Sequence, residues 1–199
     1  MDLGRVALRG IVGPLFIGHG TQKLFGWFGG HGPEATGGAF ESMGLRPGKR
    51  HALAAGAAET VGGALLTLGA LTPIASTVIS ATMFTAIRKG HLQNGPWATE
   101  GGYEYPLALI GASMAITESG PGRPSVDEVL FPRFKGTALA VLGVAAAAAA
   151  SYLVTSERFI DAPQAADGQD FDFPSDAAMH EPDRKFTREP ADAGIEQGV

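Results

Sequence analysis

Between residues 5 and 154 the chain returns five times to a long apolar run, and short segments rich in glycine, proline or charge separate the runs. This recurrence constrains the fold more than any other feature. A run of about 20 apolar residues, at 1.5 Å of helical rise each, matches a hydrocarbon core about 30 Å thick. The runs cover residues 5–28, 51–71, 73–87, 103–117 and 136–154. The first would span about 36 Å as a helix. Pro14 falls inside it, which a membrane helix tolerates where neighbours satisfy the freed carbonyl. Phe25, Trp27 and Phe28 end it with aromatic rings suited to a membrane interface. The second run is Ala, Gly, Leu, Thr and Val apart from Glu59, and Gly56, Gly63 and Ala70 recur every seventh residue. Such a smooth stripe lets another helix backbone approach closely.

The breaks are equally legible. Residues 29–50 are dense in glycine and turn formers and read as a loop. Pro73 is placed to start a helix. Residues 90–102, with Asn94-Gly-Pro96, cannot form a simple helix. The apolar part of the run after them is short, which points to a 90–102 segment that dips back toward the membrane. Residues 125–131 read as an interfacial helix capped by Ser125, with Asp127 and Glu128 in its first turn. The expected fold is therefore all-α: a polytopic membrane four-helix bundle over residues 1–132, a further Ala-rich transmembrane helix over 133–156, and an acidic, largely disordered tail over 157–199. A soluble all-α bundle with buried Ala-rich helices is the alternative. It requires the apolar runs, their aromatic and basic flanks and the low charge to coincide by chance.

Charge supports this division. Only 18% of the 199 residues are charged, and the net charge of -5 is unevenly distributed. From residue 155 onward there are 11 acidic and 4 basic side chains, out of 20 and 15 in the whole chain, so the body keeps 9 and 11. With no cysteine the chain itself can carry neither disulfide nor thiol chemistry. The start lacks the n-region and small-residue cleavage site of a signal peptide, so the first helix is expected to remain. No phosphate-cradling loop and no basic stripe with interleaved aromatics is present, and nucleic acid is not an expected partner. No di-iron Glu-x-x-His pair or clustered histidine pair suggests a metal centre, and none is expected.

Alternating helices would bring the end of the first run, the start of the second, the end of the third and the start of the fourth to one membrane surface. Those ends carry His19, Gln22, Lys23, Glu59, Arg88, Lys89, His91, Glu100, Glu104 and Tyr105. The other surface would hold only Arg5, Arg9, Glu118 and Arg123, so the polar chemistry is expected on one side. Glu59 lies about two turns inside its helix, where a carboxylate needs a partner. Lys23 and His19, four residues apart on one helix face, are the candidates. Tyr103, Glu104 or His91 could extend the contact. Glu59 reads either as a clamp between helices or as a group handling protons or a ligand. Lys23 either snorkels to the surface or joins the pair, and His19 is either a satisfied core histidine or a ligand group. Arg88 and Lys89 suit a helix-end anchor, His31 and His51 suit surface loops, and Trp97 and Tyr103 suit an interface before a quinone contact. Basic residues divide almost evenly between the surfaces, so they leave orientation open.

Four segments in order, Leu15-Phe-Ile-Gly-His-Gly-Thr-Gln-Lys-Leu-Phe-Gly-Trp27, Ala58-Glu-Thr-Val-Gly-Gly63, Gly102-Tyr-Glu-Tyr-Pro-Leu107 and Gly120-Pro-Gly-Arg123 with Ser125-Val-Asp127, resemble the DoxX family of integral membrane proteins over about residues 5–130. The resemblance implies a four-helix membrane core in a bacterial inner membrane. It also implies kinship with small subunits of quinol oxidase and thiosulfate–quinone oxidoreductase complexes. The family's polar motif falls on His19, Lys23, Glu59 and Glu104, with Gln22, Arg88, His91 and Tyr103 as secondary candidates. The fifth helix and acidic tail depart from the pattern. Three functions follow as expectations. The chain could be a redox subunit whose cluster handles quinone, with electrons from a soluble partner. It could instead be a non-catalytic scaffold recruiting a soluble redox or stress enzyme, or a small-solute or proton pathway. Whether it catalyses anything itself, and in what oligomeric state, the residues leave open.

Overall fold

The computed structural model describes residues 2–156, whose regular elements are all helical, with no strand among them. The acidic tail expected over 157–199 lies outside the described residues. Seven α-helices follow in order: α1 Leu3–Phe25, α2 Gly32–Ser42, α3 Gly48–Leu68, α4 Thr72–Ala86, α5 Glu104–Ser119, α6 Val126–Leu130 and α7 Thr137–Thr155. α1 packs chiefly along α3, and α4 sits centrally against α3, α5 and α7. Val12, Phe16, Leu66, Ala75, Ile79 and Ile116 form the apolar core where α1, α3, α4 and α5 meet. Among the described residues one helix, α7, is long and apolar enough to cross a membrane, with a mean hydropathy of 2.0.

The glycine stripe sets the α1–α3 contact, and α1 reciprocates it. A Cβ added to Gly63 would lie 2.5 Å from the Gly13 carbonyl oxygen, and one added to Gly20 would lie 2.5 Å from that of Gly56. Gly13 and Gly20 are themselves seven residues apart, so the two antiparallel helices touch backbone to backbone at two levels. The hydroxyls of Thr60 and Thr67 donate back to the Gly56 and Gly63 carbonyls, so no polar atom is stranded at the contact.

Residues 29–50, expected as a loop, contain α2. Pro33 occupies its first turn, where a missing N–H costs nothing, and Glu34 complements the helix dipole. The glycines that suggested a loop serve close packing instead. A Cβ on Gly37 would sit 2.7 Å from the Lys49 nitrogen, and one on Gly48 would sit 2.0 Å from the Gly37 carbonyl oxygen. Lys49 also pairs with Glu34 at 2.5 Å, which holds that exposed carboxyl below its ordinary pKa. Helix α1 stops at Phe25, earlier than expected, because Gly26 adopts a left-handed conformation (φ 72°). The aromatic cluster therefore lies just past the helix end, with the Phe25 and Trp27 rings 5.1 Å apart.

The expectation that polar chemistry lies on one side is corrected. At the opposite end Arg9 is only 5% exposed, and its guanidinium donates to the backbone carbonyls of Thr67, Pro121 and Pro124. Asp127, 2% exposed, accepts from the N–H groups of Leu71 (2.8 Å) and Thr72 (2.7 Å), while its own N–H donates to the Gly69 carbonyl at 2.8 Å. Leu71 is held left-handed (φ 47°), a conformation unfavourable for a side chain with a Cβ, and Asp127 fixes this turn while supplying the missing acceptors at the start of α4. The bulk of Arg9 and Asp127 is accommodated because their polar atoms find backbone partners inside the bundle. Nearer the surface, the Arg123 N–H and the Arg5 guanidinium hold the Asp2 carboxyl below its ordinary pKa, and Glu128 pairs with Lys135. Ser125 caps α6 as expected, accepting from the Glu128 N–H.

Replacing Asp127 with alanine is expected to destabilise the protein by about 2 kcal/mol or more, since two buried N–H groups lose a charged acceptor. Asp127→Asn, which keeps one oxygen, is expected to cost less. Thermal unfolding of the detergent-purified protein orders the three; equal midpoints for wild type and alanine variant would remove the role given to this carboxylate.

Candidate functional site

The close approach of α1 and α3 places the site. Gly20 lies against Gly56 and Thr60, and the side chain of Leu24 covers Gly56. One turn along from Gly20, Lys23 reaches across to α3, and its Nζ meets Glu59 Oε2 at 2.6 Å. The carboxylate side chain is 5% exposed and that of Lys23 22% exposed. The pair therefore has an inner acid and an outer amine. Lys23 also donates to the carbonyl oxygen of His19 at 3.2 Å. An ammonium has three N–H donors, so one remains for a further acceptor.

Of the two partners expected for Glu59, Lys23 makes the contact. The His19 imidazole turns to Gln22, with Nδ1 3.2 Å from Oε1, and the Gln22 amide donates to the Phe28 carbonyl at 3.3 Å. His19, Gln22 and Lys23 thus form a polar edge on the last turns of α1, with Glu59 behind it.

The remaining candidates build a different feature. Helix α4 continues into a π-helical turn, Ile87–His91, followed by two 3-10 turns before α5. Here His91 Nδ1 lies 2.7 Å from the Gly101 carbonyl, Glu104 Oε1 accepts from the Ala98 N–H at 2.7 Å, and the Tyr103 N–H donates to the Gly95 carbonyl at 3.1 Å. These hydrogen bonds fold the connection back on itself; they do not extend the Lys23–Glu59 pair. Arg88 stacks over the Tyr152 ring of α7, 5.0 Å from its centroid, and ties the ends of α4 and α7 together.

Sequence reasoning overlooked Arg9 and Asp127. A signal for the first was available: an arginine one turn deeper than Arg5 on an apolar helix needs internal acceptors. For Asp127 the helix-start position was legible, but the turn it caps lies 55 residues away in sequence.

The sequence profile of the DoxX family matches residues 4–92. The chain is also 30% identical over 118 residues to a Bacillus subtilis (strain 168) protein named "Putative oxidoreductase CatD", an alignment covering 59% of this chain and 81% of that protein. The chain belongs to the DoxX family. The profile runs from the start of α1 through the π-helical turn, so it contains His19, Lys23, Glu59, Arg88 and His91, while Tyr103, Glu104 and α7 lie beyond it. DoxX is a membrane family, which agrees with the apolar character of α7. No solved structure matches the chain.

Proposed function

We propose that this DoxX protein is a multi-pass membrane subunit of a redox complex, and that the Lys23–Glu59 pair, edged by His19 and Gln22, is where it meets a quinone. Two features support the membrane reading. Large apolar side chains such as Ile11, Leu15, Val61, Leu68, Ile74, Leu107 and Leu142 point outward along the helices. Among the described residues, eleven polar or charged side chains are buried, Arg9, Glu59 and Asp127 included. Water as the surrounding solvent would favour the reverse arrangement. In this reading α1, α3, α4, α5 and α7 cross the bilayer, and α2 and α6 lie at its surfaces. A cysteine scan of the naturally cysteine-free chain checks this: positions 53, 61, 68 and 142 should resist a membrane-impermeant thiol reagent from both sides. Rapid labelling there would put these faces in water and end the multi-pass reading.

The observation that carries the functional reading is an ion pair whose acid is buried and whose amine keeps an open edge and a donor to spare. The donor set suits a carbonyl oxygen. The ammonium of Lys23 would donate to it, Glu59 would hold that ammonium charged and aimed, and His19 at the outer edge could exchange the proton with the surface. A quinone bound there would supply two-electron, two-proton chemistry, with electrons from a partner protein. The name of the Bacillus relative lends support to redox work. Glu59→Gln is expected to slow quinone reduction by membranes containing the complex at least about tenfold while the protein still accumulates. Unchanged rates, together with no quinone co-purifying, would turn the pair into a structural clamp.

A further inference from the structure

Away from the ion pair, the seam joining α4, α5 and α7 is lined with hydroxyls. Thr72, Ser76 and Ser80 follow one another at four-residue spacing on α4, and Ser113 and Thr117 do so on α5. All five are buried. Between them lies a small, partly open cavity of about 10 Å³, bounded by Ser76, Ser80, Ser113 and Thr117, with Ala140 and Gly143 of α7 on its far side. Most hydroxyls of this bundle are satisfied locally: Thr60, Thr67, Thr77, Thr85, Thr117 and Thr155 each donate to the carbonyl four residues back. Ser76 and Ser113 are different. Both are fully buried at Oγ, both border the cavity, and neither has a hydrogen-bond partner among the described residues.

We infer that this cavity is a binding site for a single water molecule that bridges Ser76 of α4 and Ser113 of α5 beneath α7. The volume is about that of one water-sized probe, and a buried water needs two to four polar partners. Two hydroxyls without partners supply them, and the Thr117 oxygen, which donates to the Ser113 carbonyl, still has lone pairs to accept a third bond. An unmade hydrogen bond at a buried hydroxyl costs about 1–3 kcal/mol, so two side by side favour capture of a bridging partner. A sodium ion would have a similar size. The lining offers it no carboxylate, and a cation in an apolar bundle requires one or a full shell of oxygens. The lid is specific too. Gly143 lies opposite the Thr77 hydroxyl, where a Cβ would approach to 2.7 Å, so a larger residue there would force that hydroxyl to turn aside. The fifth helix, which lies beyond the segment matched by the family profile, thereby completes an internal hydration site.

The test is water-edited, proton-detected solid-state NMR on the full chain in lipid nanodiscs. Magnetisation is expected to pass from water to the Hβ protons of both Ser76 and Ser113. Ser113→Ala is expected to abolish the transfer to Ser76 as well, because one molecule serves both. Replacing sodium by choline in the buffer should change nothing. No transfer to either serine in the wild type would overturn the inference. So would transfer to Ser76 that survives Ser113→Ala, since each hydroxyl would then be solvated alone. A signal that vanishes without sodium would identify a cation and overturn it equally.

Discussion

Lys23→Met is expected to destabilise the protein by about 3–5 kcal/mol, and Glu59→Leu by distinctly less, although the two residues form one pair. The asymmetry follows from their positions. Removing Lys23 leaves a carboxylate that is 5% exposed with no cation to neutralise it. Removing Glu59 leaves an ammonium on a flexible stem at 22% exposure, which can move its head to water and keep its methylenes packed. The double variant Lys23→Met/Glu59→Leu is expected to come back close to wild-type stability, because no charge then remains to be desolvated. Unfolding in mixed micelles, read as a double-mutant cycle, measures all four corners. Additive losses, or a Glu59→Leu loss larger than that of Lys23→Met, would mean that the ion pair is not the unit described here. The cycle also separates stability from function: the double variant should fold and yet fail in quinone reduction.

The second large effect is expected at the α1–α3 seam. Gly63→Leu places a side chain whose Cβ alone would lie 2.5 Å from the Gly13 carbonyl oxygen and 2.8 Å from the Ile17 nitrogen. Both obstacles are backbone, which cannot turn aside as a side chain can, so the helices must separate. Overpacking commonly costs about 1–3 kcal/mol, and a contact that runs along two helices sits at or above the top of that range. Separation should also pull Lys23 away from Glu59, so quinone-linked activity falls together with stability. Gly18→Ala on the facing helix, α1, is the control. Its Cβ meets nothing within 4 Å, and a helical Gly→Ala change is expected to be neutral or to stabilise by up to about 1 kcal/mol. If Gly63→Leu unfolds at the same midpoint as Gly18→Ala, the helices are not held by the contact of their backbones.

The two predictions share a cause. Glycines at 13, 20, 56 and 63 fix how close α1 and α3 come and how each is rotated about its axis. The rotation decides that Lys23 faces Glu59 while the imidazole of His19, one turn earlier, swings toward Gln22. Four residues of spacing put both groups on one face but could not choose between them. A crossing angle and a rotation were needed for that choice, and both belong to the pair of helices.

What the sequence determined by itself was local. Helix breakers and caps act over a few residues, so the helical runs, the break before Pro73, the irregular 90–102 connection and the Ser125 cap were legible without coordinates. A carboxylate in the middle of an apolar helix announced that it needed a partner, because the cost of leaving it unpaired depends on its surroundings and hardly on the rest of the fold. Tertiary structure decided the matters that depend on distant segments meeting. It turned the glycines of residues 32–48 from loop signals into a close contact that lets α2 form. It buried Arg9 among carbonyls contributed by α3 and by the segment after α5, and it set Asp127 on a turn far away in the chain. It also gathered the hydroxyls of α4 and α5 under α7 into a chamber. A hydroxyl reads the same in sequence whether it bonds its own helix or faces a cavity; only the packing of a third helix separates the two.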